Sequence, residues 1–230
     1  MWRFWLKYYV YKKVLSHALK KSKSIIAVSN NTKKSIQKFF PRTPENKIHV
    51  IYEGLTELAH STDNQLPIKN PYLLYVGNAY PHKNLEMLIR AFSLFHKTHP
   101  SVHLILAGKG DVFYERLKRK IMKLKGIKEH VHFIASPSDG DLALLYQNAK
   151  LYLFPSRQEG FGLPPLEAMS AGVPVASSNA SCMPEILGDA AIYFDPNDAA
   201  ELVHAMEVGV LDEVRRKDLI EEGHNPLQKY

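Results

Sequence analysis

The chain has one cysteine, Cys182, among its 230 residues. A single cysteine forms no internal disulfide, which excludes a disulfide-stabilised secreted scaffold, and it also excludes a structural zinc site that needs several thiolates. No apolar run reaches the roughly 18 residues of a membrane-spanning helix. The first residues lack the apolar core and small-residue cleavage site of a signal peptide. We therefore expect a protein of the reducing cytoplasm.

The sequence also lacks internal repeats and low-complexity tracts. It does not contain the G-x-G-x-x-G pattern of a nicotinamide or flavin site. The histidines have no H-E-x-x-H spacing, so we expect no metal site. Hydrophobic residues make up 45% of the chain and charged residues 23%, the proportions of an ordinary globular domain. This composition excludes a disordered chain and a coiled coil. Cys182, beside Met183 and Pro184, is expected to be a packed small side chain rather than a nucleophile.

Acidic residues are nearly missing from the first fifty positions. Residues 1–50 contain ten lysines and two arginines but only one acidic residue, Glu45, whereas the rest of the chain has a slight acidic excess. The same segment begins with closely spaced aromatic residues. A solvated helix with a buried aromatic stripe is the simplest interpretation. The alternative is contact of residues 1–40 with an anionic membrane surface, and nucleic acid is not expected to be a partner.

Apolar segments alternate with helical patterns through most of the chain. Residues 2–22 and the segment from a cap at Ser29 or Asn30 to Phe39 are predicted to be helical. Asn84–Lys97 places Leu85, Leu88, Ile89, Phe92 and Phe95 on one helical face. The predicted strands are Ser24–Val28, Lys47–Tyr52, Tyr72–Val76, Val102–Ala107, Val131–Ile134, Leu151–Phe154, Pro174–Ala176 and Ala191–Tyr193.

This alternation predicts an α/β fold, a Rossmann-like parallel sheet with helices on both faces. Residues 53–71 are polar and rich in turn formers, so they predict a linker. Ligands of parallel sheets bind outside the carboxyl ends of the strands. The loops after Val76, Ala107, Ile134 and Phe154 are therefore the candidate functional segments.

The first two loops contain glycine beside lysine. In residues 77–84, Gly77 permits close approach of a ligand, and Lys83 precedes a helix N-terminus, which together suit a phosphate group. An ordinary turn with an exposed lysine explains this loop equally well. Gly108 and Lys109 begin a second loop that is more typical of a simple turn.

The loop after Phe154 contains two carboxylates eight positions apart, Glu159 and Glu167. Glycines and prolines between them predict a sharp strand-to-helix turn, since proline suits a first helical turn. The amides of Phe161, Gly162 and Leu163 would then precede a positive helix end. Glu167, about one turn into the helix, could bind a diol such as a ribose, with Glu159 nearer the reacting group.

These segments together resemble the retaining GT-B glycosyltransferases of the "glycosyl transferases group 1" class, also called family 4. The segment EGFGLPPLE, from Glu159 to Glu167, resembles the E-x7-E element of that family, and residues 168–198 follow its pattern through PEI and GDAA. The other matching segments are YVGNAYPHKNLEMLIRAF at 75–92, LILAGKGD at 104–111, AVSNNTKKSI at 27–36 and VIYEGL at 50–55.

The resemblance implies the C-terminal half of a GT-B fold, in which residues 72–230 bind a nucleotide-sugar donor, GDP- or UDP-linked, without a metal or other cofactor. Glu167 would hold the ribose hydroxyls, Glu159 would act at the donor sugar without being a nucleophile, and Lys83 would neutralise the diphosphate. The other donor-binding residues would be Gly77, Asn78, Gly108, Lys109, Phe161, Gly162 and Leu163.

Three departures from the family qualify this expectation. Asn78 occupies a position where many members have an arginine, so the diphosphate would lose one cation. Residues 1–52 resemble only a remnant of the acceptor domain, and the chain stops before the usual final helix. We therefore expect a hexosyltransferase for mannose or glucose that is inactive or weakly active alone. The alternatives are a non-catalytic nucleotide-sugar-binding module completed by a separate N-terminal domain, and a basic protein at the inner membrane surface.

Overall fold

The computed structural model describes residues 2–56, 68–124 and 126–230. They form two compact units, one ending at Glu53 and the other running from Gly54 to Tyr230. The predicted linker at 53–71 falls largely on residues 57–67, which lie outside the described residues. The division into domains 1–52 and 72–230 stays a prediction.

The first unit contains a helix and then two parallel strands joined through a second helix. Ser29 caps the second helix, because its side chain accepts a hydrogen bond from the backbone N–H of Thr32, which confirms the predicted helix start. Strand β1 pairs with β2 in parallel. The elements are α1 (Trp2–Lys21), β1 (Ile25–Ala27), α2 (Asn30–Phe39) and β2 (Ile48–Val50).

Helix α1 exposes its aromatic side chains. Trp2 is 72% exposed and Trp5 61%, and Phe4, Tyr8, Tyr9 and Tyr11 are exposed as well. The expected buried aromatic stripe is therefore wrong: among the side chains of α1 whose burial the structure describes, only that of Leu19, near the other end of the helix, is buried. Over the described part of the chain, no helix is both long and apolar enough to cross a membrane.

The second unit contains a parallel sheet of six strands within the described residues, in the order β5-β4-β3-β6-β7-β8. Each position of β6 is buried, and because successive side chains point to opposite faces, both faces of the sheet are covered. This confirms the predicted fold class. The strands are β3 (Tyr72–Val76), β4 (His103–Gly108), β5 (Val131–Ala135), β6 (Leu151–Phe154), β7 (Val175–Ser178) and β8 (Ala191–Phe194).

The strand order reverses between β3 and β6. From β3 the chain builds outward through β4 and β5, and then returns to place β6 on the other side of β3. Such a reversal opens a crevice at the carboxyl ends of the two strands, where ligands of open parallel sheets bind.

Helices connect the strands and supply the core. The predicted apolar face of α3 is buried, and Phe92 and Phe95 are fully inaccessible. In α8, Gly209 lies so close to β6 that a Cβ there would be 2.6 Å from the Leu151 side chain. The helices are α3 (Leu85–Phe95), α4 (Val112–Ile121), α5 (Asp139–Gln147), α6 (Leu163–Ser170), α7 (Met183–Leu187), α8 (Ala199–Leu211) and α9 (Glu213–Leu227).

Strand β7 continues two residues beyond the predicted Ala176. Its last two residues, Ser177 and Ser178, are fully buried although they are polar. The structure satisfies both hydroxyls internally: Ser177 donates to the carbonyl of Ser178, and Ser178 donates to that of Ser156. Buried hydroxyls with partners are compatible with a strand interior.

Four histidines meet where the sheet's amino ends lie. Nδ1 of His103 is 2.7 Å from Nε2 of His132. The ring of His130 lies 4.1 Å from that of His96 and 4.9 Å from that of His103, centroid to centroid. Among the described residues, no group of three or more histidine, cysteine or acidic side chains is arranged to hold a metal ion. Burial, with help from neighbouring imidazoles, lowers the pKa of His96, His103 and His132.

This cluster should make stability depend on pH. Because the folded protein lowers these pKa values below 6.5, the unfolded chain binds protons first as the pH falls. The free energy of unfolding should therefore decline as the pH falls through about 6.5, as linkage requires. Urea denaturation at pH 7.5 and 5.5 measures this. His132→Gln should reduce the decline, whereas the exposed His204→Gln should not; equal declines in all three proteins would contradict the prediction.

Candidate functional site

The loops that follow β3 and β6 meet at the reversal of strand order. The backbone N–H of Arg157 donates to the carbonyl of His82 at 2.8 Å. Nζ of Lys83 lies 2.6 Å from Oε1 of Glu159, and both side chains are nearly buried. The structure therefore brings together Lys83 and Glu159, which the sequence singled out 76 positions apart.

Three buried tyrosines hold the backbone of the loop after β3 through their hydroxyl groups. Tyr152 donates its hydroxyl to the carbonyl of Val76 at 3.1 Å, Tyr114 to that of Gly77 at 2.8 Å, and Tyr75 to that of Asn78 at 2.7 Å. Three consecutive carbonyls are thus held by side chains from three strands or helices. None of these hydroxyl contacts was evident from sequence: Tyr75 and Tyr152 belong to ordinary apolar strands, and Tyr114 belongs to a largely charged helix.

The predicted residues Gly77 and Asn78 lie at the start of this loop. Gly77 has a φ of 150°, in the region that favours glycine, and a Cβ there would lie 2.7 Å from the Tyr75 hydroxyl. The side-chain oxygen of Asn78 accepts from the backbone N–H of Tyr80 at 3.2 Å, so this side chain stabilises the turn. At this position, where the resemblance led us to expect an arginine in many members, the amide side chain of Asn78 hydrogen-bonds within its own loop.

Asn84 joins the same loop to two others, a role that the sequence did not indicate. It has a left-handed backbone with φ of 62° and precedes α3. Its buried side-chain amide donates to the carbonyl of Pro155 at 3.1 Å and to that of Pro196 at 2.7 Å. The residue after Lys83 therefore fixes the lysine loop against the loop that contains Glu159.

Gly108 allows the loops after β3 and β4 to touch, whereas Lys109 stays at the surface. A Cβ on Gly108 would lie 1.9 Å from the carbonyl oxygen of Gly77 and 2.8 Å from the Tyr114 hydroxyl. Lys109 is exposed. The structure thus gives Gly108 a packing role, while Lys109 lies one residue beyond the strand end.

The loop after β6 forms the predicted turn and helix start. Gly162 has a φ of 104° and immediately precedes α6, which begins at Leu163. A Cβ on Gly162 would lie 2.5 Å from the methyl group of Met183. Phe161 is buried, with its ring 5.1 Å from that of Tyr230, centroid to centroid. Phe161 and Gly162 thus lie directly before α6, and Leu163 is its first residue.

Glu159 is held in this loop through its own backbone. The hydroxyl of Ser181, a residue with φ of 63°, accepts from the N–H of Glu159 at 3.1 Å and donates to its carbonyl at 2.8 Å. The thiol of Cys182 donates to the carbonyl of Phe161 at 3.2 Å. Burial raises the pKa of Cys182 to about 12, so the thiol stays protonated, and its full burial confirms the expected packing role.

Glu167 is the fifth residue of α6, one turn into the helix as predicted. Its Oε2 accepts from the hydroxyl of Tyr146 at 2.9 Å. Burial raises the pKa of Glu167, and the bond from Tyr146 opposes that rise. Tyr146 itself is fully buried in the unit, and this contact fixes one carboxylate oxygen.

The sequence matches the family described as "Glycosyl transferases group 1" over residues 58–225. The chain belongs to this family. Among curated proteins, it is 35% identical over 207 residues to O-antigen chain mannosyltransferase B of Escherichia coli, covering 81% of this chain and 51% of that protein. It is 32% identical over 185 residues to O-antigen chain mannosyltransferase RfbU of Salmonella typhimurium, covering 80% and 50%. The chain thus spans about half the length of these relatives.

Solved structures agree with the GT-B fold. Sucrose-phosphate synthase from Thermosynechococcus elongatus superposes with a TM-score of 0.79 at 23% identity, covering 95% of this chain and 56% of that one. Anabaena Alr3699/HepE, solved in complex with UDP-glucose, superposes with a TM-score of 0.81 at 19% identity, covering 95% and 62%. At these identities the likeness establishes the fold alone.

Gly108 offers a direct test of how closely the site loops must approach. Gly108→Ala should force the Gly77 carbonyl away and lower the free energy of unfolding by roughly 1–3 kcal/mol, as overpacking does. Gly110→Ala is the matched control, since its Cβ would meet only the Ala135 side chain, at 3.4 Å. Chemical denaturation of both variants measures the difference; equal stabilities would contradict the packing argument.

Proposed function

We propose that the unit from Gly54 to Tyr230 is the donor site of a retaining hexosyltransferase, which takes its sugar from a nucleotide-sugar donor. The single observation that supports this best is the placement of Glu159 and Glu167 on either side of the α6 N-terminus, with Lys83 2.6 Å from Glu159, at the strand-order reversal. Membership of the group 1 family supports the same chemistry.

The proposed roles follow from the position of each group. Glu167, with one oxygen held by Tyr146, accepts hydrogen bonds from the two ribose hydroxyls through the other. Lys83 and the positive N-terminus of α6, which residues 161–163 lead into, balance the charge of the diphosphate. These groups stabilise the leaving diphosphate without a metal. Gly77 and Gly108 keep the nearby backbone close to the ligand, with Asn78 and Lys109 at the edge of the site.

Glu159 is the proposed catalytic residue, acting on the donor sugar. Its carboxylate projects from a loop whose backbone Ser181 fixes, so it can orient the hexose or balance the positive charge that develops at the sugar. We do not assign it as a nucleophile. Attack of the acceptor on the face that the leaving group departs from accounts for retention.

Mannose is the preferred candidate for the sugar, linked to GDP. The two curated relatives described above are named as mannosyltransferases. Glucose linked to UDP is the alternative, since the HepE structure contains UDP-glucose. The acceptor would belong to the surface polysaccharides or their lipid-linked precursors, the class to which O-antigen chains belong.

We propose that donor binding belongs to this unit and that transfer needs a complete acceptor domain. A donor held on one open domain remains in contact with water, which weakens the electrostatic stabilisation of the leaving group. An acceptor pocket also provides the orientation on which much of the rate depends. A nucleotide-sugar-binding module completed by a separate N-terminal domain is the corresponding alternative.

Donor binding is tested by titrating the full chain with GDP, UDP and ADP and their common sugar conjugates in a calorimeter. We expect saturable binding of one base, because Glu167 and the α6 N-terminus form a preorganised site. Glu167→Ala should abolish it, since the ribose contacts are lost, and Tyr146→Phe should weaken it severalfold. Glu115→Ala, which removes an exposed carboxylate from α4, is the control. No saturable binding, or full binding by Glu167→Ala, would contradict the proposal.

We also propose that α1 contacts an anionic lipid surface, at the cytoplasmic face of a membrane. Exposed indole and phenol rings on a helix rich in lysine suit the interfacial region of a bilayer. Each lysine near an anionic surface contributes roughly 1 kcal/mol of attraction. This partner is independent of donor chemistry.

Flotation with lipid vesicles tests the α1 proposal. The full chain should bind phosphatidylglycerol vesicles at low salt, bind phosphatidylcholine vesicles poorly, and dissociate as the salt concentration rises. Trp2→Ala with Trp5→Ala should remove the binding and leave nucleotide binding intact. Tighter binding to duplex DNA than to anionic vesicles at the same salt would instead favour a nucleic-acid partner.

A further inference from the structure

The ion pair between Lys83 and Glu159 is shielded from water. Its N–O distance is 2.6 Å, and the two side chains are only 14% and 13% exposed. The pair between Lys120 and Glu86 has the same distance, but its side chains are 59% and 74% exposed. Shielded opposite charges attract strongly, and separating them leaves each one poorly solvated. Glu159 is therefore paired with the cation that is proposed to bind the diphosphate.

The backbone around each partner of this ion pair is held by other contacts. Lys83 ends a 3₁₀ turn, and the neighbouring Asn84 is tied to two other loops. The ammonium of Lys83 also lies 5.5 Å from the centroid of the Phe154 ring. Glu159 is fixed by Ser181 on both sides of its backbone. Because both backbones are held, we expect a carboxylate displaced from Lys83 to remain within a side chain's length of the group that replaces it.

We propose that Glu159 is the resident counter-ion of Lys83, and that this pairing makes the site distinguish the intact sugar donor from the free nucleoside diphosphate. The inference rests on the proposed donor site. A diphosphate that binds Lys83 must take the ammonium from Glu159, which leaves two anions close together. Like charges in a shielded site oppose binding.

The donor sugar can compensate for this repulsion between the diphosphate and the Glu159 carboxylate. In the intact donor, hexose hydroxyls lie beyond the diphosphate and can donate hydrogen bonds to the displaced carboxylate. A nucleoside diphosphate alone offers no such donors, so Glu159 remains without a replacement partner. The same residue that acts on the sugar would then weaken binding of the product, which helps the nucleoside diphosphate to leave after transfer.

The variant Glu159→Gln tests whether Glu159 opposes binding of the free diphosphate or merely contributes to donor binding. Calorimetry with GDP and UDP, and with GDP-mannose and UDP-glucose, gives the dissociation constants. We expect Glu159→Gln to bind the free diphosphate about tenfold more tightly, because one negative charge is gone. The preference for the sugar conjugate over the free diphosphate should shrink by at least the same factor.

Two further variants make the result specific. Glu129→Gln removes the same charge from an ion pair with Lys128 near the amino end of β5, away from the site, and should change neither constant. In Lys83→Met, replacing Glu159 by Gln should give a much smaller gain, since the two residues act as a pair. Thermal unfolding of each variant confirms that it is folded.

Each outcome bears on the proposal. Tighter diphosphate binding by Glu159→Gln that depends on Lys83 supports it. Unchanged or weaker diphosphate binding by a folded Glu159→Gln overturns it while leaving the donor site intact. If neither the native chain nor any variant binds a nucleotide, the proposed function fails, and this inference fails with it.

Discussion

Burial of the parallel sheet on both faces is the constraint on which the rest of the second unit depends. Strands such as β3 and β6 have no polar face to turn toward water, so helices must cover both sides. Every crossover then returns the chain to the amino end of the sheet. All loops that follow strands consequently lie at the carboxyl edge of the sheet. The reversal of strand order between β3 and β6 directs the loops after these two strands apart, which leaves space for a ligand.

The core extends into the site through hydroxyl groups. Three tyrosine rings lie in the interior, and their hydroxyl oxygens contact the backbone carbonyls of residues 76–78; they are Tyr75, Tyr114 and Tyr152. Burial raises the pKa of all three phenols, so each remains a hydrogen-bond donor at any physiological pH. An apolar ring with a polar tip suits this boundary, because it packs against the core and still satisfies a backbone group. The shape of the lysine loop is thus fixed by side chains from outside that loop.

Much of this architecture could be predicted from sequence, because its signals are local. The bounds of β3 and β6 follow from short apolar runs, and the buried face of α3 follows from helical spacing. The turn at Gly162 follows from its glycine and proline neighbours. The family pattern also singled out Glu159 and Glu167, whose side chains the structure places at the edge that the strand order defines.

The contacts that fix the backbone of the loop after β6 were not predictable, because they join distant positions. Ser181 and Glu159 are 22 residues apart, as are Ser178 and Ser156. Serine, tyrosine and asparagine in unremarkable segments carry no signal of a distant partner until the fold brings it near. The exposed rings of α1 were misjudged for a related reason: an aromatic pattern shows that a surface is apolar, but not what covers it.

The single thiol has a practical consequence. Cys182 is inaccessible and donates to the carbonyl of Phe161, within the loop that links Glu159 to α6. A thiol reagent can therefore modify the native chain only when this segment opens. The modification rate reports that local opening without any engineered label, and its slowing by a bound nucleotide would measure how far the ligand rigidifies the loop.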